Sequence, residues 1–336
     1  MLLSRVAESV YWAGRYLERA EATARLVHVH TELFLDLPKA AGIGWTPLLA
    51  LTGNGEAFRA RQREISEEQV VDFLATGAGE TGAERAHAGP EHEGAIVASV
   101  AGAHANLRVT QAVLPIEAWE VLNELHLWAG QTCHRAVDRR TRLAWTNQLI
   151  RQCQLLSGLL EGTMSHDDAY AFLEIGRGLE RADMTTRILD VQAGILLGQR
   201  DGGTAYADLT WLGVLRSLSA HQMFRRTVGS SVSGPAALQF LLRDQQLPRS
   251  VERCLIEISR ALLELSRHQQ PMAACAAIQQ MLERTDLDSP EGEGPTATAL
   301  HEYSNRLQDG FAALHEQLVA TYFQMKPSTS TVLLPV

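Results

Sequence analysis

Apolar residues recur every three or four positions along almost the whole chain, and segments that alternate apolar and polar residues are hard to find. This spacing is typical of amphipathic helices, whereas strict alternation would indicate strands. We therefore predict an all-α protein, a multi-helix bundle of about ten helices. The predicted helices cover about 2–35, 95–114, 116–138, 141–162, 167–198, a segment from about 208, 248–268, a segment from about 271, and 297–325.

Glycine, proline and polar clusters separate these helices. The stretches 38–55 and 228–235 are predicted to be loops for this reason. The stretch 76–94 is rich in Gly, Ala and Glu, and predicts a mobile loop. We expect a single helical domain over 1–326, followed by a loose C-terminal tail, 327–336.

A thirteen-residue segment that occurs twice is the most informative feature of the chain. It begins at Gly14 and returns at Gly176, an offset of 162 residues, and eight of its thirteen positions are identical. Six of those eight are Gly, Arg, Glu or Thr, a set that core packing alone would not select. The repeat predicts a duplicated central helix and pseudo-duplicated halves, about 1–163 and 164–326.

Helical spacing places the polar residues of each copy in one stripe, because each residue advances by roughly 100°. The stripes consist of Gly14, Glu18, Glu21 and Arg25 in the first copy, and of Gly176, Glu180, Asp183 and Arg187 in the second. Arg15 lies beside the first stripe, and Arg177 and Arg181 lie beside the second. A glycine inside a helix costs about 1 kcal/mol relative to alanine. Its presence in both copies therefore indicates a close approach by a backbone, a side chain or a ligand.

The stripes admit three interpretations. Paired carboxylates and arginines can hold anions and do acid–base work, which favours a ligand or catalytic pocket. The same residues can form a buried salt-bridge network that fixes the register of two central helices. A surface site for a partner is the third interpretation.

The pocket interpretation assigns a role to each polar residue of the motif. The candidate catalytic or amine-binding acids are Glu18, Glu21, Glu180 and Asp183. The candidate substrate-binding residues are Arg15, Arg19, Arg25, Arg177, Arg181, Arg187, Arg249 and Ser250. The last two stand at the predicted start of a helix, where backbone N–H groups attract anions.

Composition narrows the possible partners and the location. Thirty Lys and Arg against thirty-nine Asp and Glu give a net charge of −9, which argues against a nucleic-acid-binding protein. Four dispersed cysteines without a C-x-x-C pair suit a reducing compartment. The first residues carry charges where a signal peptide would be apolar, and no apolar run reaches about 18 residues. We predict no membrane partner and a cytoplasmic location.

The sequence argues against a metal site and against a nucleotide site. Helical di-metal sites need Glu-x-x-His on two helices, and the sequence from Glu84 to His87 lies in the predicted mobile loop. Arginines beside the motif acids would also compete with a cation. The stretch from Gly77 to Gly82 matches G-x-G-x-x-G but lacks the preceding strand that a dinucleotide site requires. We predict no metal and no cofactor.

The opening segments 1–8 and 11–21 resemble the alpha-E domain family, bacterial all-helical proteins with a repeated Gly-Arg-x-Leu-Glu-Arg-Ala-Glu/Asp motif. The resemblance continues through 106–108, 117–119, Asn123, 165–173, the second copy, 240–244 and 248–251. One departure lies in the second copy, where Gly178 replaces the larger residue that the family usually carries and that the first copy has as Tyr16.

The resemblance implies an accessory or catalytic component of a bacterial peptide synthesis or modification system. Such proteins act beside a circularly permuted ATP-grasp amide ligase, often with a transglutaminase-like peptidase. The ligase would perform the ATP chemistry, and the Arg/Glu pocket would take a peptide or amino-acid ligand. The alternative is a non-catalytic scaffold whose Arg/Glu motifs form a buried structural network. Whether the chain is an enzyme is left open by the sequence.

Overall fold

The computed structural model describes residues 2–36, 44–51, 55, 58, 65–77, 95–198, 207–284 and 296–324. Within these ranges the chain forms fourteen α-helices and no strand, which confirms the all-α prediction and roughly its helix count. The helices are α1 (Ser4–Asp36), α2 (Thr46–Leu51), α3 (Glu67–Thr76), α4 (Ile96–Arg108), α5 (Ile116–Thr132), α6 (His134–Val137), α7 (Arg139–Thr163), α8 (Asp168–Gly198), α9 (Ala207–Ser217), α10 (His221–Thr227), α11 (Gly234–Arg243), α12 (Val251–Glu264), α13 (Gln269–Arg284) and α14 (Ala297–Leu318). A 3-10 turn covers Gln111–Val113, and a π-helical turn covers Val319–Phe323.

Several helix boundaries differ from the predicted ones. The stretch 38–55 contains α2, because Pro47 occupies the first turn of this helix, where a missing N–H costs nothing. The predicted helix 116–138 is divided into α5 and α6, and Asp138 then caps α7 by accepting from the Arg140 N–H. The predicted tail 327–336 lies outside the described residues, as does most of the predicted mobile loop, 78–94.

The two copies of the motif lie on α1 and α8, the two longest helices, which pack against each other more extensively than any other described pair. A Cβ atom on Gly14 would lie 2.5 Å from the carbonyl oxygen of Leu173, and one on Gly176 would overlap the carbonyl oxygen of Tyr11. Leu173 is the equivalent of Tyr11 at the repeat offset. The same backbone contact is therefore made twice, as across a twofold axis.

The flanking helices pack around α1 and α8 in matching order. Helices α4 and α7 pack on α1, and α5 packs between them. Helices α12 and α14 pack on α8, with α13 between them. Duplicated halves at 1–163 and 164–326 remain a prediction, which this order favours.

The apolar residues of the first motif are buried, because Leu17 is 6% exposed and Ala20 and Ala24 are fully covered. The glycine at 178, where the family usually carries a larger residue, is explained by the size of its neighbour on the flanking helix. The Tyr16 ring packs against Gly102 of α4, whereas Gly178 packs against the larger Ile258 of α12. No described helix is both long enough and apolar enough to cross a bilayer.

Candidate functional site

The two polar stripes face each other in the contact between α1 and α8. Their four acids are buried, with exposed fractions of 3% for Glu18, 5% for Glu21, 1% for Glu180 and 8% for Asp183. A buried carboxylate requires paired charges and hydrogen bonds, because it has lost its hydration. The motif arginines supply them.

The central ion pairs are exchanged between the two copies. Arg19 donates to Glu180 through Nε at 2.5 Å and through Nη2 at 3.0 Å. In the equivalent contact, Arg181 Nη2 donates to Glu18 Oε2 at 2.7 Å. The Glu-Arg dipeptide of each copy thus binds the dipeptide of the other, and the network ties the register of α1 to that of α8.

The second arginine on each glutamate comes from a different place in the two halves. Glu180 accepts from Arg15 Nε at 2.8 Å, one turn before Arg19 on α1. Glu18 instead accepts from Arg249, which precedes α12 and also donates to Glu21 Oε1 at 3.0 Å. The equivalent of Arg15 is Arg177. Its Nη1 donates to Glu174 Oε1 at 2.6 Å.

The remaining acids pair within their own helices. Glu21 binds Arg25 of α1, and Asp183 Oδ2 accepts from Arg187 Nε at 2.9 Å. Each pair has the i,i+4 spacing that brings side chains together on one helix face. Glu21 also accepts the hydrogen bond from Arg249 described above.

These surroundings move the pKa values of the two glutamates downward. Burial alone would raise the pKa of Glu18, but Arg181 and Arg249 outweigh it and hold this pKa well below its usual range. Burial would also raise the pKa of Glu180, but Arg19 and Arg15 outweigh it and lower this pKa to about 2. Both carboxylates are therefore ionised throughout the physiological pH range.

Asp183 behaves differently from the two glutamates. Burial raises its pKa, Arg187 only partly offsets this effect, and the negative charge of Glu180 adds to it. In contrast to Glu18 and Glu180, Asp183 thus has an environment that favours the protonated form.

Ser250 serves as the N-cap of α12 and is fully buried. Its hydroxyl donates to the Asp244 carbonyl and accepts from the Arg253 N–H at 3.1 Å. Arg249, one residue earlier, extends toward α1. Both residues that were predicted from this helix start are thus engaged inside the fold.

A cleft of about 700 Å³ lies between α8, α12 and the C-terminal end of α7. Its walls carry charges of both signs. The charged residues that line it are the acids Glu161, Asp167, Glu174, Glu257 and Glu264 and the arginines Arg177, Arg181, Arg253 and Arg260. Two of the motif arginines, Arg177 and Arg181, therefore line an opening as well as belonging to the repeat.

The equivalent positions on α1 are covered by aromatic side chains. Trp12 occupies the position of Glu174, and its ring lies 5.3 Å from the Arg15 guanidinium carbon. The Tyr16 ring covers Arg19 in the same way, at 5.6 Å. His315 of α14 packs edge-on against Trp12 at 5.4 Å. In the first copy, Arg15 and Arg19 thus lie over rings, whereas Arg177 and Arg181 of the second copy line a charged cleft.

Sequence reasoning missed the cleft residues outside the motif. On α12, Arg260 Nη1 donates to Glu257 at 2.9 Å, and Arg253 pairs with the same carboxylate. These residues lie on the polar face of a strongly amphipathic helix, a pattern that solvent-facing residues share. Among the described residues, no three His, Cys, Asp or Glu side chains are grouped so that they could hold a metal ion.

Comparison with known proteins agrees with this architecture. The Alpha-E family, described as a predicted alpha-helical domain with a conserved ER motif, matches residues 2–323. The chain belongs to the Alpha-E family. Each copy of the repeated segment contains one Glu-Arg dipeptide, at 18–19 and at 180–181, and these two pair across α1 and α8.

The Alpha-E chain is also similar to uncharacterized proteins of Mycobacterium bovis and of two strains of Mycobacterium tuberculosis. Each is 24% identical over 267 residues, a match that covers 74% of this chain and 28% of the relative. The chain thus corresponds to little more than a quarter of the length of these relatives. No solved structure matches it.

Proposed function

We propose that this Alpha-E protein is a helical binding component of a bacterial system that makes or modifies small peptides with a circularly permuted ATP-grasp amide ligase. The family resemblance is the source of the ligase partner and of the transglutaminase-like peptidase found beside it. The length of the mycobacterial relatives supports a domain that works together with others, because the matched region is only 28% of each. Arginines and acids at one cleft suit a ligand with a carboxylate and an amine.

The observation that carries this proposal is the state of Glu18 and Glu180. Each is buried, accepts from two arginines and has a pKa far below neutral. Such a carboxylate is a weak base and is almost never protonated at pH 7, so it serves poorly in acid–base catalysis. We infer that these two glutamates are structural.

The motif arginines divide into two groups under the proposal. The structural group binds the buried acids without lining the cleft. It consists of the motif arginines Arg15, Arg19, Arg25 and Arg187, joined by Arg249 from outside the motif. Arg181 binds Glu18 and also lines the cleft, as does Arg177, and these two are proposed to reach a substrate.

A catalytic role is the second candidate, and Asp183 is the residue that favours it. Burial raises its pKa and favours the protonated form that a general acid needs, although Asp183 is not among the residues that line the cleft. If Asp183 is the catalytic acid, Asp183→Asn should abolish product formation while leaving the protein folded. Retention of product by this variant would exclude Asp183 as the catalytic acid.

The structural assignment is tested with Glu18→Gln and Glu180→Gln, which keep side-chain size and remove the charge. Each should lower the free energy of unfolding by about 3 kcal/mol, because buried arginines lose their counterion. Below their melting temperatures, both variants should still support formation of the ligase product. Glu124→Gln, at an exposed position of α5, is the matched control and should behave like the wild type.

Two outcomes would contradict the proposal in different ways. Normal stability with loss of product would mean that Glu18 or Glu180 acts in chemistry rather than in the fold. A ligase whose product yield and gel-filtration profile are unchanged by the Alpha-E protein would remove the partnership itself.

A further inference from the structure

We propose that the cleft between α8 and α12 binds a small zwitterion, an amino acid or short peptide with a free ammonium and a free carboxylate. The ligand exchanges with the Arg177–Glu174 ion pair, so that Arg177 takes its carboxylate and Glu174 its ammonium. This inference deepens the proposed function and rests on it for the biological setting, but the binding itself needs no ligase.

The first argument is that Arg177 binds an acid of its own helix, whereas the equivalent Arg15 binds a buried acid of the opposite helix. In the first copy, the equivalent Arg15 donates to the glutamate of the opposite helix at 2.8 Å. In the second copy, Arg249 occupies that place on Glu18, and Arg177 turns to Glu174 on its own helix. Arg177 therefore stays beside the network, where its charge helps to lower the pKa of Glu18, and it also lines the cleft.

The second argument is the replacement of a ring by an acid at the cleft wall. Position 12 carries a tryptophan that packs under Arg15, whereas the equivalent position 174 carries a glutamate whose side chain is 28% exposed. An acid there contributes less packing than a ring, but it offers two acceptor oxygens to a cation. The second copy thus has a donor and an acceptor side by side at an opening.

The third argument is charge balance. The Arg177–Glu174 pair leaves Glu174 28% exposed, so breaking it strands no deeply buried carboxylate, and a ligand that supplies both charges can replace it. An anion that bound Arg177 would leave Glu174 without its cation, and a cation on Glu174 would leave Arg177 without its anion. A zwitterion satisfies both groups at once and keeps the net charge of the cleft unchanged.

The size and walls of the cleft fit such a ligand. A volume of about 700 Å³ lies within the range of small-molecule sites and accommodates a dipeptide. The rings of Tyr170 and His166 stack on one side of the cleft, with their centres 3.9 Å apart. Arg181 also lines the cleft, and its Nε is buried without a hydrogen-bond partner among the described residues.

The first experiment measures binding to the full chain by calorimetry, without a ligase. The probes are alanine, glutamate, glutamine and lysine and the four corresponding homodipeptides. At least one should bind, and its C-terminal amide and its N-acetyl derivative should each bind about ten- to a hundredfold more weakly, since each loses one charged contact. Absence of binding by all eight, or equal binding of the blocked forms, would overturn the proposal.

The second experiment assigns each end of the ligand to its residue. With Arg177→Gln, the free probe and its amide should bind equally weakly, while the preference over the N-acetyl form persists. With Glu174→Gln, the free and N-acetyl probes should become equal, while the preference over the amide persists. Arg177→Lys should retain part of the affinity because it keeps the charge.

The control is Arg226→Gln, at an exposed position of α10 that does not line the cleft, and it should bind like the wild type. The melting temperature of every variant shows whether it is folded. Unchanged discrimination in both cleft variants would place the ligand elsewhere. Because the ligase is absent, a negative result here leaves the partnership to its own assay, and failure of the partnership leaves this binding intact.

Discussion

A carboxylate between two packed helices is tolerated only when cations hold it, and Glu18 and Glu180 are each held by two arginines. Buried ion pairs of this kind often add little net stability, yet removing one partner is strongly destabilising. Their effect is on specificity, since a shift of α1 along α8 would separate the three pairs that cross between these helices, Arg15–Glu180, Arg19–Glu180 and Arg181–Glu18. The Glu-Arg chemistry that the two copies share is thus explained at the residue scale by the register of α1 against α8.

His30 on α1 gives a separate prediction at the residue scale. It is 8% exposed and packs edge-on against Trp45, with ring centres 4.6 Å apart. Burial lowers its pKa from 6.5 to about 4. Between these values the unfolded chain is protonated at this site and the folded chain is not, so stability is lost as the pH falls from 6.5 to 4.

The measurement is denaturant unfolding of the wild type and of His30→Gln at pH 7 and pH 5. From pH 7 to pH 5, the free energy of unfolding of the wild type should fall by about 2 kcal/mol more than that of the variant. An identical pH response in the two proteins would show that His30 does not titrate in this way.

At the scale of elements, the crossing of α1 and α8 depends on the two motif glycines. Gly14→Ala and Gly176→Ala place a methyl group against a backbone carbonyl that cannot move away like a flexible side chain. Each should lower the free energy of unfolding by about 1–3 kcal/mol or more.

Gly158 provides the matched control for the glycine variants. It lies inside α7 at an exposed position with open space around its Cα. Gly158→Ala should therefore raise stability by about 0.5–1 kcal/mol, because it removes only the entropic cost of glycine. Chemical denaturation of the three variants tests the difference, and a stabilising effect at Gly14 or Gly176 would contradict the close crossing.

The elements that could be predicted from the sequence are the long periodic ones. Helices α1 and α8 begin and end within two residues of the expected positions, because many turns of one pattern define them. Helix α2 was missed because it has six residues and lies in a stretch rich in glycine and proline. The contact from Arg249 to Glu18 spans 231 residues, a distance over which helical periodicity carries no information.

At the scale of the whole molecule, we propose that the two halves arose by duplication and then diverged at one site. The matched packing of helices around α1 and α8 supports the common origin. The first half covers its motif arginines with Trp12 and Tyr16, whereas the second half opens a cleft beside Arg177 and Arg181. Repetition of the motif was visible in the sequence. The exchange of Tyr16 for Gly178 was visible as well. The separate roles of Arg15 and Arg177 were not, because they depend on Arg249, which comes from a distant part of the chain and binds Glu18.

The central claim is that equivalent arginines have separate roles, Arg15 in the buried network and Arg177 at the cleft. The most direct test compares Arg15→Gln with Arg177→Gln for the free energy of unfolding and for binding of the zwitterionic probe. The account predicts that Arg15→Gln loses about 3 kcal/mol of stability. Arg177→Gln should lose less stability, because the side chain of the acid it leaves, Glu174, is 28% exposed whereas that of Glu180 is 2% exposed, and it should lose the preference for a free carboxylate. Equal destabilisation by the two substitutions, with that preference intact in Arg177→Gln, would contradict it.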